Sequence, residues 1–93
     1  MKPHILKIAP IWFEAALHGA KRFEVRRNDR DFKEGDHIVL REWDGTDYTG
    51  RQILGYIDYV LTAEDFPEGI KEGYCVFAYN VRPYGVQDWR EEE

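Results

Sequence analysis

Gly19-Ala20-Lys21-Arg22-Phe23-Glu24-Val25-Arg26-Arg27-Asn28-Asp29-Arg30 marks the point where the hydrophobic pattern changes from helical to strand-like. Gly19 closes an apolar segment and is the residue type that best tolerates a left-handed helix C-cap. From Arg22 to Arg27 polar and apolar residues alternate, as in a half-buried strand, with Phe23 and Val25 on one face and Arg22, Glu24 and Arg26 on the other. Asn28-Asp29-Arg30-Asp31 then supplies turn chemistry, because Asn and Asp side chains bond nearby backbone groups. The stretch 19–30 holds five cations and two anions, a balance of +3 in a chain whose net charge is −5. A positive patch set against the overall sign reads as a confined anion-recognition site.

Working outward, His4–Ile8 reads as a first strand, and Pro10 suits the first turn of a helix over Pro10–His18. That helix is almost entirely apolar apart from Glu14 and His18, which share one side, so it is expected to be mostly buried. Downstream, Gly35-Asp36 makes a turn into a strand at His37–Trp43, and Asp44-Gly45 signals a hairpin. A long strand follows at about Arg51–Leu61, with Ile53, Ile57, Tyr59 and Leu61 on one face and Gly55 marking a bulge or bend. Residues 63–73 read as a loop. Tyr74–Val81 forms the last strand, with Cys75, Phe77, Tyr79 and Val81 on one face. Five or so strands with one helix define a small α+β domain, a bent sheet or barrel covered by the helix.

Ninety-three residues make a single domain, with its core at about 4–82 and a tail over 83–93 that frays at Trp89-Arg90-Glu91-Glu92-Glu93. The charge is unevenly spread, +4 over residues 1–30 and −9 over residues 31–93. The acidic majority argues against wide, sequence-blind binding of long nucleic acid, and favours a small ligand or a few nucleotides in one groove. No run approaches the roughly 18 apolar residues of a membrane span, and the N-terminus lacks the pattern of a secretory signal. A single cysteine and three histidines without ligand spacing imply no internal disulfide, no metal and no cofactor. The expected compartment is the cytoplasm.

Lys21 follows the helix-ending glycine, where a short turn can push its ammonium into a cleft. Glu24 and Arg26 share a strand face with it in reach. Such a Lys–carboxylate pair can orient a water or hold a proton, and equally it can be an ion-pair ladder fixing helix to sheet. Arg26, Arg30 and Arg51 are candidates for pairing with phosphate or carboxylate. Glu42 shares a strand face with Ile38 and Leu40, and a carboxylate there needs a partner such as an arginine. Trp43, Tyr48 and Tyr56 can stack a base, or serve the core. His4 beside Lys7 is a minor candidate, and Cys75 is a core residue.

Gly19-x-Lys21-x-x-Glu24-x-Arg26 between a helix and a strand resembles the signature of the ASCH domain, of the PUA-like β-barrel superfamily. A longer pattern is similar to a small bacterial and phage ASCH-like subfamily. It takes in His4-x-Leu6-Lys7, Phe13, Asn28-Asp29-Arg30, Gly35-Asp36, Glu42 and Tyr48-Thr49-Gly50-Arg51. The resemblance implies a five- or six-stranded barrel whose cleft, at the helix–strand junction, takes single-stranded RNA or a nucleotide or nucleoside. Taken with the charge and stacking arguments above, Lys21, Glu24, Arg26, Arg30, Glu42, Tyr48 and Arg51 are the residues expected to hold the ligand. Some ASCH-like proteins hydrolyse acylated cytidine nucleosides with a Lys, a Thr and a Glu. The Thr nucleophile position holds Glu24 here, which leaves Lys21 and Glu24 as the catalytic pair of an alternative reading, a hydrolase on a modified nucleoside or on RNA. A third reading is an accessory protein that binds another protein through its acidic half.

Overall fold

The computed structural model describes residues 2–88, and the expected fraying of residues 89–93 lies outside them. The elements are β1 (His4–Ile8), α1 (Pro10–Leu17), β2 (Phe23–Arg27), β3 (His37–Trp43), β4 (Tyr48–Thr62) and β5 (Tyr74–Asp88). They build one sheet in the order β1-β3-β4-β5-β2, parallel between β1 and β3 and antiparallel elsewhere. The long β4 and β5 curl this sheet into a five-stranded half-barrel with one short helix, a small α+β fold that is mostly sheet.

Curling requires breaks in the ladder, and β4 has two against β5, between Ile53 and Gly55 and between Ile57 and Tyr59. Gly55 permits the first, since a Cβ there would lie 2.6 Å from the carbonyl oxygen of Asn80. The second reverses the phase of the strand. Ile57 is in the core, but Tyr59 is 57% exposed and Val60 packs inward instead. Tyr59 therefore does not continue the face of Ile53 and Ile57, as simple alternation predicts.

β5 also departs from expectation by running past Val81 to Asp88. The ladder skips residues 82–85, where Tyr84 has a positive φ of 57°, and resumes with Val86 opposite Ile53. Pro83 thus sits in the bulged stretch, where its missing N–H breaks no ladder bond. Residues 83–88 belong to the sheet rather than to a tail.

Phe13, Ile38, Leu40, Ile53, Phe77 and Tyr79 are almost wholly shielded from solvent and form the heart of the core. Burying each such side chain contributes roughly 1.5–3 kcal/mol. The helix buries Phe13 and Ala16 in the core, three residues apart on one stripe, with Leu17 partly buried against it. Ile11 and Trp12 are 68% and 51% exposed, so the helix is half-exposed rather than mostly buried. Eight residues make little more than two turns, and they reach the half-barrel along one line of contact. Helix α1 stops at Leu17, with His18 as its C-cap, in a Schellman motif. Gly19 takes φ +83°, the Ala20 N–H donates to Ala15 O at 2.9 Å, and the Gly19 N–H donates to Ala16 O at 3.1 Å.

Candidate functional site

The Schellman turn delivers Lys21 to the start of β2. Its N–H donates to Ala15 O at 3.1 Å, and its carbonyl accepts from the Tyr79 hydroxyl at 3.0 Å. Burial, helped by the nearby negative charge of Glu24, pushes the Tyr79 phenol up to about 12, so it stays a hydrogen-bond donor at neutral pH. Lys21 Nζ then donates to Phe23 O at 2.7 Å and to Glu24 Oε2 at 2.6 Å. On the other oxygen of Glu24, Arg26 donates from Nε at 2.9 Å and approaches through Nη2 at 2.8 Å. Arg26 Nη2 also donates to the carbonyl of Lys7 on β1 at 2.8 Å.

This trio fixes the phase of β2, and it is the charged face that turns inward. Glu24 is only 4% exposed, whereas Phe23 and Val25 are 47% and 59% exposed. A buried carboxylate is tolerated because both of its oxygens receive charge-assisted hydrogen bonds. The apolar side chains displaced outward join Trp12 and Ile8 in walling a cleft of about 680 Å³, with Lys21, Glu24 and Arg26 also at its surface. Its size suits a small-molecule ligand, as do its apolar lining and few convergent polar groups. Lys21, Glu24 and Arg26 are thus brought together where the sequence places them. Trp12 and Phe23 join them, although the sequence marks both merely as apolar positions.

Arg30 lies one step along. Its Nη1 donates to the carbonyl of Ile5 at 2.8 Å, two residues before the carbonyl that Arg26 takes. β1 and β2 stand at opposite ends of the sheet order, and these two arginines, rather than a neighbouring strand, satisfy carbonyls on the outer edge of β1. Next to them His4 Nε2 lies 2.8 Å from Asp36 Oδ2, and the His4 ring meets Phe32 edge-on. Burial works to raise the Asp36 carboxyl, but the bond from His4 and the Lys33 N–H outweigh it and hold it below its usual range.

Glu42 and Arg51 form a separate group. Arg51 donates from Nε to Glu42 Oε1 at 2.9 Å and from Nη2 to Oε2 at 3.0 Å, a bidentate pair, and the Thr49 hydroxyl adds a bond to Oε1 at 2.6 Å. Arg51 Nη2 also reaches Glu14 Oε2 at 2.7 Å, and its guanidinium stands 4.6 Å from the centre of the Phe13 ring. The Arg51 bond, against the opposing effect of burial, holds the Glu42 carboxyl below its usual range, and Glu42 in turn raises Arg51. Glu42 is 3% exposed, so the partnered-carboxylate reading fits its geometry. Glu14 projects from a different side of α1 than Trp12 and Ala15, which face the cleft. Glu42 and Arg51 are therefore not brought to the Lys21 cleft.

Tyr48 is likewise away from that cleft. It meets Trp43 edge-on at 5.0 Å, and Lys7 Nζ lies 4.0 Å from the centre of the Trp43 ring. The sequence gives no sign of this cation–π pair, because Lys7 and Trp43 meet only through the pairing of β1 with β3. Among the described residues, no group of three or more His, Cys, Asp or Glu could hold a metal ion, and no helix is long and apolar enough to cross a membrane.

Fold and site together define a small half-barrel protein with an ion-paired cleft between a helix end and an edge strand. Residues 3–79 match the family designated DUF3850, a domain of unknown function, and the chain belongs to that family. It is also 36% identical over 67 residues to the "Uncharacterized 12.9 kDa protein in GpA 3'region" of Escherichia phage P2. The aligned stretch is 72% of this chain and 62% of the phage protein, so the chain spans about three fifths of that relative's length.

Proposed function

We propose that this protein is a binding module of the ASCH and PUA-like type that holds a nucleotide or single-stranded RNA in the Lys21 cleft. The observation that carries the reading is the composition of that cleft, an apolar and aromatic wall beside the ion-paired Lys21–Glu24–Arg26 group. A base has two flat apolar faces and a polar edge, and its phosphate is anionic. The wall suits the faces, and the trio, whose formal charge is +1, suits the polar edge or the phosphate. The same reading places the protein in the cytoplasm, where its lone buried thiol stays reduced.

Binding is favoured over hydrolysis by the state of Glu24. Both its oxygens already accept from cations, so the carboxylate is committed to positioning Lys21 and Arg26 rather than to taking a proton. An amide NMR titration with short RNA, cytidine and acylated cytidine tests the reading. Shifts concentrated on residues 7–26 and lost in Lys21→Ala support it. The absence of shifts at millimolar ligand overturns it, and turnover of acylated cytidine that Glu24→Gln abolishes replaces it with the hydrolase.

A further inference from the structure

Two smaller hollows adjoin the main cleft, and each shares residues with it. One, of about 160 Å³, is lined by Arg26, Arg27, Asp29 and Arg30 together with Leu6 and Phe32. The other, of about 240 Å³, lies beyond Lys7, Ile8 and Ala9 and is bounded by Trp43, Asp44 and Gly45. Arg26 belongs to both the main cleft and the first hollow, and Lys7 to both the main cleft and the second. Three depressions thus run in series across the ends of β1 and β2, with a cationic side chain at each joint.

We propose that the three hollows form one track for a single-stranded nucleic acid of at least three nucleotides, with its phosphodiester links passing the Arg26 and Lys7 joints. The inference rests on the nucleotide-binding reading of the main cleft and adds the path and the minimum length of the strand. A single unit seated in one hollow leaves the other two empty, so occupying all three needs connected units. The linking groups pass the joints, and both joints carry cations, which suits a phosphodiester and not the neutral link of a peptide.

The outer hollows differ in character. At the first, three arginines outweigh Asp29 and suit the phosphate of the nucleotide seated there. At the second, the Trp43 ring, held by Lys7 and Tyr48, offers a surface for a base. The carboxylate of Asp44 is also there. One of its oxygens already accepts from the Thr46 and Asp47 N–H groups at 2.9 and 2.8 Å, which offsets part of its repulsion.

The test is a length series in fluorescence anisotropy competition on the full chain: mononucleotide, dinucleotide, tetramer and hexamer, as RNA and as DNA, with an acidic peptide of matched charge. Affinity is expected to rise by at least about tenfold from mononucleotide to tetramer and then level off. Trp43→Leu should weaken the tetramer roughly 5- to 150-fold, and far more than the mononucleotide. In case Trp43→Leu disturbs the hairpin, Lys7→Gln serves as the second variant, expected to lower the salt dependence of tetramer binding by about 0.7 in log–log slope.

Equal affinity for mononucleotide and tetramer overturns the track and leaves the single-site reading standing. Failure of every nucleotide and oligomer to bind overturns both. Tighter binding of the peptide than of any oligomer also overturns the track, in favour of a protein partner. The RNA and DNA arms separate the two sources of the same backbone chemistry, since only RNA offers a 2′-hydroxyl.

Discussion

Arg26 Nη2 donates to the carbonyl of Lys7 at 2.8 Å, joining the two strands that stand at opposite ends of the sheet. Arg26 thereby caps an edge carbonyl on β1 and neutralises a buried carboxylate on β2 with one guanidinium. Arg26→Ala removes both and leaves Glu24 with Lys21. The expected loss is about 1–3 kcal/mol, read as a lower urea midpoint. Arg26→Lys should recover little, because an ammonium cannot reproduce the planar geometry that serves two acceptors at once. Full recovery by Lys would reduce the role of Arg26 to charge alone.

The Glu42–Arg51 pair makes stability depend on pH in a fixed direction. Hydrogen bonds from Arg51, opposed by burial, hold the folded carboxyl below its ordinary 4.5. The unfolded chain therefore takes up a proton more readily than the folded one. The stabilisation is complete above that ordinary value and is lost as pH falls through the folded one. Asp36 and Asp44 are lowered too and add to the same acid-side loss. Urea midpoints measured from neutral pH down to strong acid should fall less steeply for Glu42→Gln than for the parent. Parallel curves would mean that Glu42 does not contribute to the acid limb.

Most of the element order was legible because its punctuation is local. Pro10, Gly19, Gly35 and Asp44-Gly45 bound their segments through backbone constraints that act at the residue itself, and Gly55 marked a real break in β4. What escaped depends on residues distant in sequence. Alternation gives β2 two faces but not which one is inside. That choice is made by Lys21, Arg26 and the Lys7 carbonyl closing around Glu24. The phase slip after Ile57 has no glycine or proline to announce it. The continuation of β5 past Val81 also escaped, since the ladder steps around residues 82–85 and resumes at Val86. Of the candidate site, Lys21, Glu24 and Arg26 could be read together from one short motif. Glu42 and Arg51 are charged like them but lie elsewhere, and Tyr48 too is apart from that cleft.

Cys75 offers a direct probe of how firmly the sheet is closed. It is fully buried on β5, paired with Arg26 on β2 and with Thr62 on β4. Burial pushes its thiol up, with a smaller push from Asp29, so little of the reactive thiolate exists in the folded state. A thiol reagent should label it only through opening of β2 from β5, at a rate that rises in Arg26→Ala. Rapid labelling of the parent protein would show that this edge of the sheet opens freely.

Gly19 connects the stability of the helix end to the geometry of the site. Its φ of +83° is open to glycine, while a Cβ there would meet nothing closer than Arg22 Nη2 at 3.7 Å. The cost of Gly19→Ala is therefore conformational rather than steric, about 1–2 kcal/mol. Asparagine tolerates the left-handed region better, so Gly19→Asn should recover part of that loss. The turn also sets where Lys21 leaves the backbone, through the bonds from Ala20 and Lys21 to Ala15 O. Relaxing it should carry Lys21 away from Glu24, so Gly19→Ala is expected to weaken nucleotide binding as well as lower Tm, with Gly19→Asn intermediate in both. If Tm falls while binding holds, the Tyr79 hydroxyl on Lys21 O is sufficient to place the lysine, and the helix cap serves stability alone.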